Sequence, residues 1–301
     1  MTDLAARAPA EHDPVAGIVA MTAAMGCFIV SDVCCKLAAQ RGLPVSEVIT
    51  LRAILSALLL AVPAILAGAV ALVREHMGRA WSIRILGEMA AAGGFISALV
   101  NLPLANVIAL TQTIPLAMTA AGALVLGERV GARNWLATIA GFAGVLLIVR
   151  PGTGAFSWWS LGALLCVVAV TVRDIATRGM PRAVPAVVIS FTTAIGVVVI
   201  GAVMGSLERG WKLPDLGAGL ALLVAAAAIS GGYWFAILAV QRAALSTVAP
   251  FRYTIIPMAL AMGYAIWGEV PDALALAGIA VITVSGLYTF LDARRRRGHT
   301  S

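Results

Sequence analysis

Apolar runs of roughly 16 to 25 residues recur along this chain, and no other feature limits its fold so severely. Each is close to the length a helix needs to cross about 30 Å of hydrocarbon at about 1.5 Å per residue. Inside a bilayer the backbone must satisfy its own N–H and C=O groups, which a helix does within one segment. Charged residues are 12% of the sequence, against about 25% in an ordinary soluble domain. No soluble domain of useful size fits between the runs. The expectation is an all-α, polytopic membrane protein.

Cutting at Pro, Gly and charge clusters predicts ten transmembrane helices, at 15–38, 46–70, 84–101, 105–126, 135–150, 158–178, 186–206, 216–240, 246–268 and 273–291. An even number puts both termini on one side. If that side is the cytoplasm, the inner segments hold thirteen arginines, including Arg74, Arg129, Arg133 and the run Arg294 to Arg297, and the outer segments hold five Lys and Arg residues. That bias predicts cytoplasmic termini in the cell inner membrane. It also accounts for the net charge of +7 without nucleic acid. Trp81, Trp135, Trp158, Trp159 and Trp211 fall at predicted helix ends, as an interfacial aromatic belt would have them. Residues 1–14 carry Asp3, Glu11 and Asp13 against Arg7, unlike the basic start of a signal peptide, so the first helix is read as retained.

The chain also repeats itself. "ANVIALTQTIPLAMTAAGALVLGE" (105–128) aligns with "STVAPFRYTIIPMALAMGYAIWGE" (246–269) at a constant offset of 141, with Gly127-Glu128 on Gly268-Glu269. Five spans per copy is an odd number, so the second copy is inverted in the membrane. The expected organisation is a cytoplasmic N-terminal segment (1–14), a first five-helix repeat (15–150), a connecting loop (151–157), a second repeat (158–291) and a basic cytoplasmic tail (292–301). Inverted repeats with a site near the midplane are a hallmark of secondary transporters.

Three segments carry a resemblance to a known family: "LVLGERVGARNWLATIAGFAGVLLIVRPG" (124–152), "LPVSEVITLRAILSALLL" (43–60) with its Arg52, and "GIAVITVSGLYTFLDARR" (278–295). Together with the duplicated unit, they resemble the EamA family of the drug/metabolite transporter superfamily over residues 15 to 291. The last segment is closest to a subset that takes up S-adenosylmethionine or riboflavin. The second copy departs from the pattern in "WGEVPDALAL", which lacks the basic residue after Gly-Glu. An outward loop has little use for that charge. The resemblance implies a secondary transporter of a small polar metabolite, with relatives that export amino acids or other metabolites as the alternative.

Charges inside the spans need partners or a wet cavity, because each costs on the order of 3 kcal/mol or more when unpaired near the bilayer centre. Asp32 and Arg52 each lie about six residues, or roughly 9–10 Å, below the same boundary. Lys36 and Glu47 are likewise level near the surface. The first hairpin is therefore expected to carry Asp32–Arg52 and Lys36–Glu47 across its two helices, with Asp32 and Arg52 either pinning the hairpin or lining the pathway. Arg84–Glu88 and Asp174–Arg178 are i,i+4 pairs, read as structural. Arg173 points about 100° away from Asp174 and needs another partner or the cavity. Arg252 and Tyr253 lie in the ninth span.

Uncharged candidates complete the pathway: Tyr233 and Trp234 in the eighth span, and Asn101 and Gln112 around the third-to-fourth turn. Aromatic faces with a few amides suit a planar, polar ring. Pro103, Pro115, Pro250 and Pro257 lie in or beside the fourth and ninth spans and are the hinge candidates. The expected partners are a small-molecule substrate, the bilayer and a proton or other coupling ion, with no nucleic acid. No cofactor, metal cluster or catalytic constellation is read: the histidines (His12, His76, His299) lie in termini or a loop, and no phosphate loop appears. Cys27, Cys34, Cys35 and Cys166 are read as small packing residues. A channel would show a filter segment, and none is visible.

Overall fold

The structure, a computed structural model, describes residues 13–125, 127, 130–153, 156–178, 184–207, 211–243 and 248–298. Twelve α-helices and one 3-10 turn of helix make up its regular structure among those residues: α1 (Pro14–Gln40), α2 (Val45–Leu66), α3 (Ala69–His76), α4 (Arg79–Asn101), α5 (Leu104–Thr111), α6 (Ile114–Val125), α7 (Ala132–Val149), α8 (Trp159–Arg178), α9 (Ala186–Leu207), α10 (Leu216–Arg242), the 3-10 helix (Ala249–Thr254), α11 (Ile255–Trp267) and α12 (Ala273–Gly298). Among the described residues, eight segments are long and apolar enough to cross a membrane: α1, α2, α4, α5 with α6, α7, α8, α9 and α10. A shorter apolar stretch, Ala273–Thr289, lies in α12.

The helices start where the local chemistry directs. Asp13 caps α1 by accepting from the N–H of Ala16 at 3.0 Å, with Pro14 at the first helical position. Asp215 accepts from Ala218 N–H at 2.7 Å at the start of α10, and Asp272 from Ala275 N–H at 2.9 Å at the start of α12. The Ala218 N–H and the Arg41 guanidinium hold the Asp215 carboxyl below its ordinary value, and the Arg150 guanidinium does the same first and foremost for Asp272.

Where the expected fourth span runs 105–126, the helix breaks at Gln112 and Thr113. The expected ninth span, 246–268, is described from Val248 and enters through the 3-10 helix before α11. Both breaks have the same cause: Pro115 and Pro257 lack the N–H that would continue the ladder from the preceding turn. Pro103 caps α5 and Pro250 sits at the start of the 3-10 helix, so all four hinge candidates fall at breaks. The second span ends at Leu66, and a separate short helix, α3, follows it through Gly68 at φ +79°.

The main packing partners are α1 with α10, α4 with α8, α7 with α12 and α2 with α9. Backbones touch closely at two of these seams. A Cβ on Gly94 would lie 2.5 Å from the Gly162 carbonyl oxygen, and one on Gly278 would lie 2.7 Å from that of Gly144. Such glycine contacts let dispersion between helices stand in for a hydrophobic drive that lipid does not provide. Trp81, expected in an aromatic belt, is instead buried and donates to Thr192 Oγ1 at 3.0 Å. Trp158, Trp159 and Trp211 are exposed.

Polar contacts gather one set of helix ends together. Glu47 accepts from the backbone N–H of Lys212, Arg41 meets Asp215 at 2.8 Å, Arg150 pairs with Asp272, and Lys36 meets Glu269 at 2.5 Å. The ends of α1, α4, α7, α9 and α11 and the starts of α2, α5, α10 and α12 therefore meet at one end of the bundle. This corrects the expected Lys36–Glu47 pair. α1 makes little contact with α2, so its lysine meets the loop after α11 instead.

Candidate functional site

A cavity of about 460 Å³ lies in the other half of the bundle. Its wall comes from the middle of α2 (Arg52, Ser56), the first half of α4 (Arg84, Glu88), the end of α8 (Arg173, Asp174), the first half of α9 (Ser190, Thr193) and the later part of α10 (Ser230, Tyr233, Trp234). α2, α4, α9 and α10 each contribute residues three or four apart, so one face of each turns inward: 52, 56 and 60 on α2, 84 and 88 on α4, 187, 190, 194 and 197 on α9, and 230, 233 and 234 on α10.

Arg173 organises the charges. Its guanidinium lies 2.5 Å from Glu88 Oε2 and 2.8 Å from Asp174 Oδ1, bridging α8 to α4. Arg84 donates to Thr177 Oγ1 at 2.7 Å, while its Nε is buried with no hydrogen-bond partner. The expected Arg84–Glu88 pair is therefore not made, because Arg173 on the packed neighbour α8 takes the carboxylate. Asp174 pairs with Arg173, and the Arg178 side chain of the expected Asp174–Arg178 pair lies outside the described residues. Asp32 is buried on α1 within electrostatic reach of Arg52, yet no ion pair within 4.0 Å joins them. The expected Asp32–Arg52 bridge is thus absent, which leaves the Arg52 guanidinium without a carboxylate in contact among the described residues.

Tyr233 and Trp234 are 52% and 62% exposed, and both line the cavity. Phe28 supports the Tyr233 ring edge-on at 5.3 Å between centroids, and Phe235 lies 5.0 Å from Trp234. Thr193 and Ser230 donate to the carbonyls of Ile189 and Ala226, four residues back, so their oxygens are left as acceptors. The wall thus combines guanidinium donors, hydroxyl acceptors and two aromatic faces, in a volume within the roughly 300–1,000 Å³ usual for small-molecule sites.

Of the residues singled out from sequence, Arg52, Arg173, Tyr233 and Trp234 meet at this wall. The other pathway candidates lie elsewhere. Asn101 is exposed at the end of α4 and donates to Ser97 O at 2.8 Å. Gln112 reaches the backbone carbonyl of Arg252 at 3.3 Å, Arg252 itself is exposed, and Tyr253 is buried against Gly286. Glu88 and Arg84, read as a structural pair, belong to the wall. Ser56, Ser190 and Thr193 were not anticipated, although Ser56 follows Arg52 by one turn and shares its face.

Apolar spans around a cavity that carries charged groups and an aromatic wall suit a polytopic membrane transporter. Residues 15–150 match the model of the EamA-like transporter family, the family the sequence resembles. A riboflavin transporter of Rhizobium johnstonii is 26% identical over 75% of this chain and 74% of its own length. The pseudopaline exporter CntI of Pseudomonas aeruginosa is 27% identical over 82% and 86%. An S-adenosylmethionine uptake transporter of Rickettsia felis is 24% identical over 64% and 65%. A solved crystal structure aligns over 92% of this chain and 98% of its own with a TM-score of 0.62 at 19% identity, which shows a shared fold.

Proposed function

We propose that the chain is an alternating-access carrier whose two inverted five-span units (15–150 and 158–291) enclose the cavity, and that its cargo is a flat, polar cofactor or vitamin of the riboflavin type. One observation carries the cargo assignment: Tyr233 and Trp234 stand on one wall of a cavity whose other walls present Arg52 and the Arg173–Glu88–Asp174 group. Stacking faces hold a ring system. Guanidinium groups donate to ring carbonyls, and hydroxyl oxygens accept from ring N–H or side-chain O–H groups. The riboflavin transporter among the relatives supports the same cargo.

Three features support the inverted repeat. Exchanging the first five spans for the second five maps α1–α10 onto α8–α4, and α2–α9 and α7–α12 onto themselves. The same exchange maps the contact of α1 with the 3-10 helix and α11 onto that of α8 with α5 and α6. Gly127 and Gly268, 141 residues apart, share left-handed φ values of +67° and +65°. In this reading both termini and residues 292–301 face the cytoplasm, the membrane is the inner membrane, and the proline-bearing breaks at 112–113 and 254–255 absorb the bending.

Purified protein in liposomes is expected to take up labelled riboflavin saturably. S-adenosylmethionine and amino acids serve as competing cargo, and vesicles of both orientations report direction. Transport of an amino acid or a metal-chelating metabolite with no response to riboflavin would favour the exporter reading, for which the CntI relative is the supporting observation. Saturable movement of none of these would overturn the proposal.

A further inference from the structure

We infer that Lys36 and Glu269 form the clasp of a gate that closes the bundle end opposite the cavity and must part for the cavity to open there; the inference rests on the alternating-access reading. Lys36 is 4% exposed. Its Nζ lies 2.5 Å from Glu269 Oε1, donates to the Leu102 carbonyl at 2.8 Å, and stands 4.7 Å from the Trp267 ring centroid. The second Glu269 oxygen accepts from Leu104 N–H at 2.8 Å, so it caps the N-terminus of α5, where a negative charge is favoured. Trp267 Nε1 adds a hydrogen bond to Gln40 Oε1 at 2.7 Å.

Three properties single this cluster out among the polar contacts of that end. First, every side-chain bond from the α11 corner runs to the first half of the chain, at α1 or at the α4–α5 turn. Second, it joins elements that otherwise pack modestly, whereas Arg41–Asp215 links α1 to α10, which already touch along their lengths. Third, the bulk of the cavity lies beyond it: Glu88 is in the first half of α4, Asp174 is near the end of α8 and Trp234 is in the later half of α10, while Arg52, in the first half of α2, is the lining residue that reaches back toward this end. Gly268, at φ +65°, ends α11 and turns the chain so that Glu269 reaches back to Leu104.

The test uses the full chain with its four cysteines replaced, carrying spin labels at the exposed positions Asn101 and Val270, in lipid nanodiscs. Pulsed electron resonance is expected to give one short distance for this parent. Lys36→Met, and separately Glu269→Gln, should raise a longer-distance state from a minor population of about 0.1–10% to a readily detected one. Glu269→Gln keeps an acceptor for Leu104 N–H, so it guards against a merely unfolded corner. Arg41→Ala should leave the distances unchanged. Distributions that superimpose on the parent for both clasp variants would make the pair a permanent staple and end the inference. No cargo is needed, so the result stands apart from the uptake assay: a protein that carries none of the metabolites tried still reports on the clasp.

Discussion

Arg173→Met is expected to cost about 3 kcal/mol or more of stability, the largest loss from any single cavity substitution. The guanidinium contacts Glu88 and Asp174 together, and it and Glu88 are each 19% exposed. Removing one member of such a group leaves the others as partly desolvated charges without compensation, which costs about 3–5 kcal/mol for a buried pair. Methionine fills much of the volume, so the loss measures charge and not a cavity. Thermal unfolding of the purified protein in detergent checks it. The triple variant Arg173→Met/Glu88→Gln/Asp174→Asn should recover most of the lost stability, since it removes the stranded charges along with their partner. A single Arg173→Met variant that melts with the parent would show that water already screens the group.

Trp234→Ala is expected to act in the opposite way, leaving melting nearly unchanged while weakening cargo. Its ring is 62% exposed, so little of the protein's own packing is lost. Stacking of a flat ring on an aromatic face is worth about 1–3 kcal/mol. That corresponds to roughly a 5- to 140-fold rise in KM for riboflavin at about 1.4 kcal/mol per factor of ten. Arg52→Ala should give a loss of similar size, because a hydrogen bond from a charged donor is worth about 1.5–3 kcal/mol. The pair divides the site into a stacking face and a donor. If both variants transport with the parent's KM, the cargo does not sit at this wall, although the family assignment is untouched.

The spans were legible because hydrocarbon imposes one rule on every residue of a run: α1, α2, α8, α9 and α10 begin and end within a few residues of expectation. The breaks at Gln112–Thr113 and Thr254–Ile255 were legible only as prolines, since a proline marks where a helix can bend without saying whether it does. The ionic partners were misread for one reason. Pairing Lys36 with Glu47 and Arg84 with Glu88 assumed that the nearest neighbour in sequence is the nearest in space. In this bundle α1 packs on α10 and α4 on α8, so Lys36 finds Glu269 and Glu88 finds Arg173. Tyr233 and Trp234 stood out as aromatics amid alanine and glycine. Ser190 and Thr193 did not, because a hydroxyl in an apolar helix ordinarily bonds its own backbone, as Thr193 does to Ile189.

The measurement closest to the central claim is the sidedness of the two Gly-Glu corners. Single cysteines at Val130 and Val270, in the otherwise cysteine-free chain, are to be labelled with a membrane-impermeant maleimide in right-side-out and inside-out vesicles. Two inverted units predict that the position-130 cysteine reacts only from the cytoplasmic face and the position-270 cysteine only from the other. Labelling of both from the same face would contradict the inverted pair and the carrier built on it.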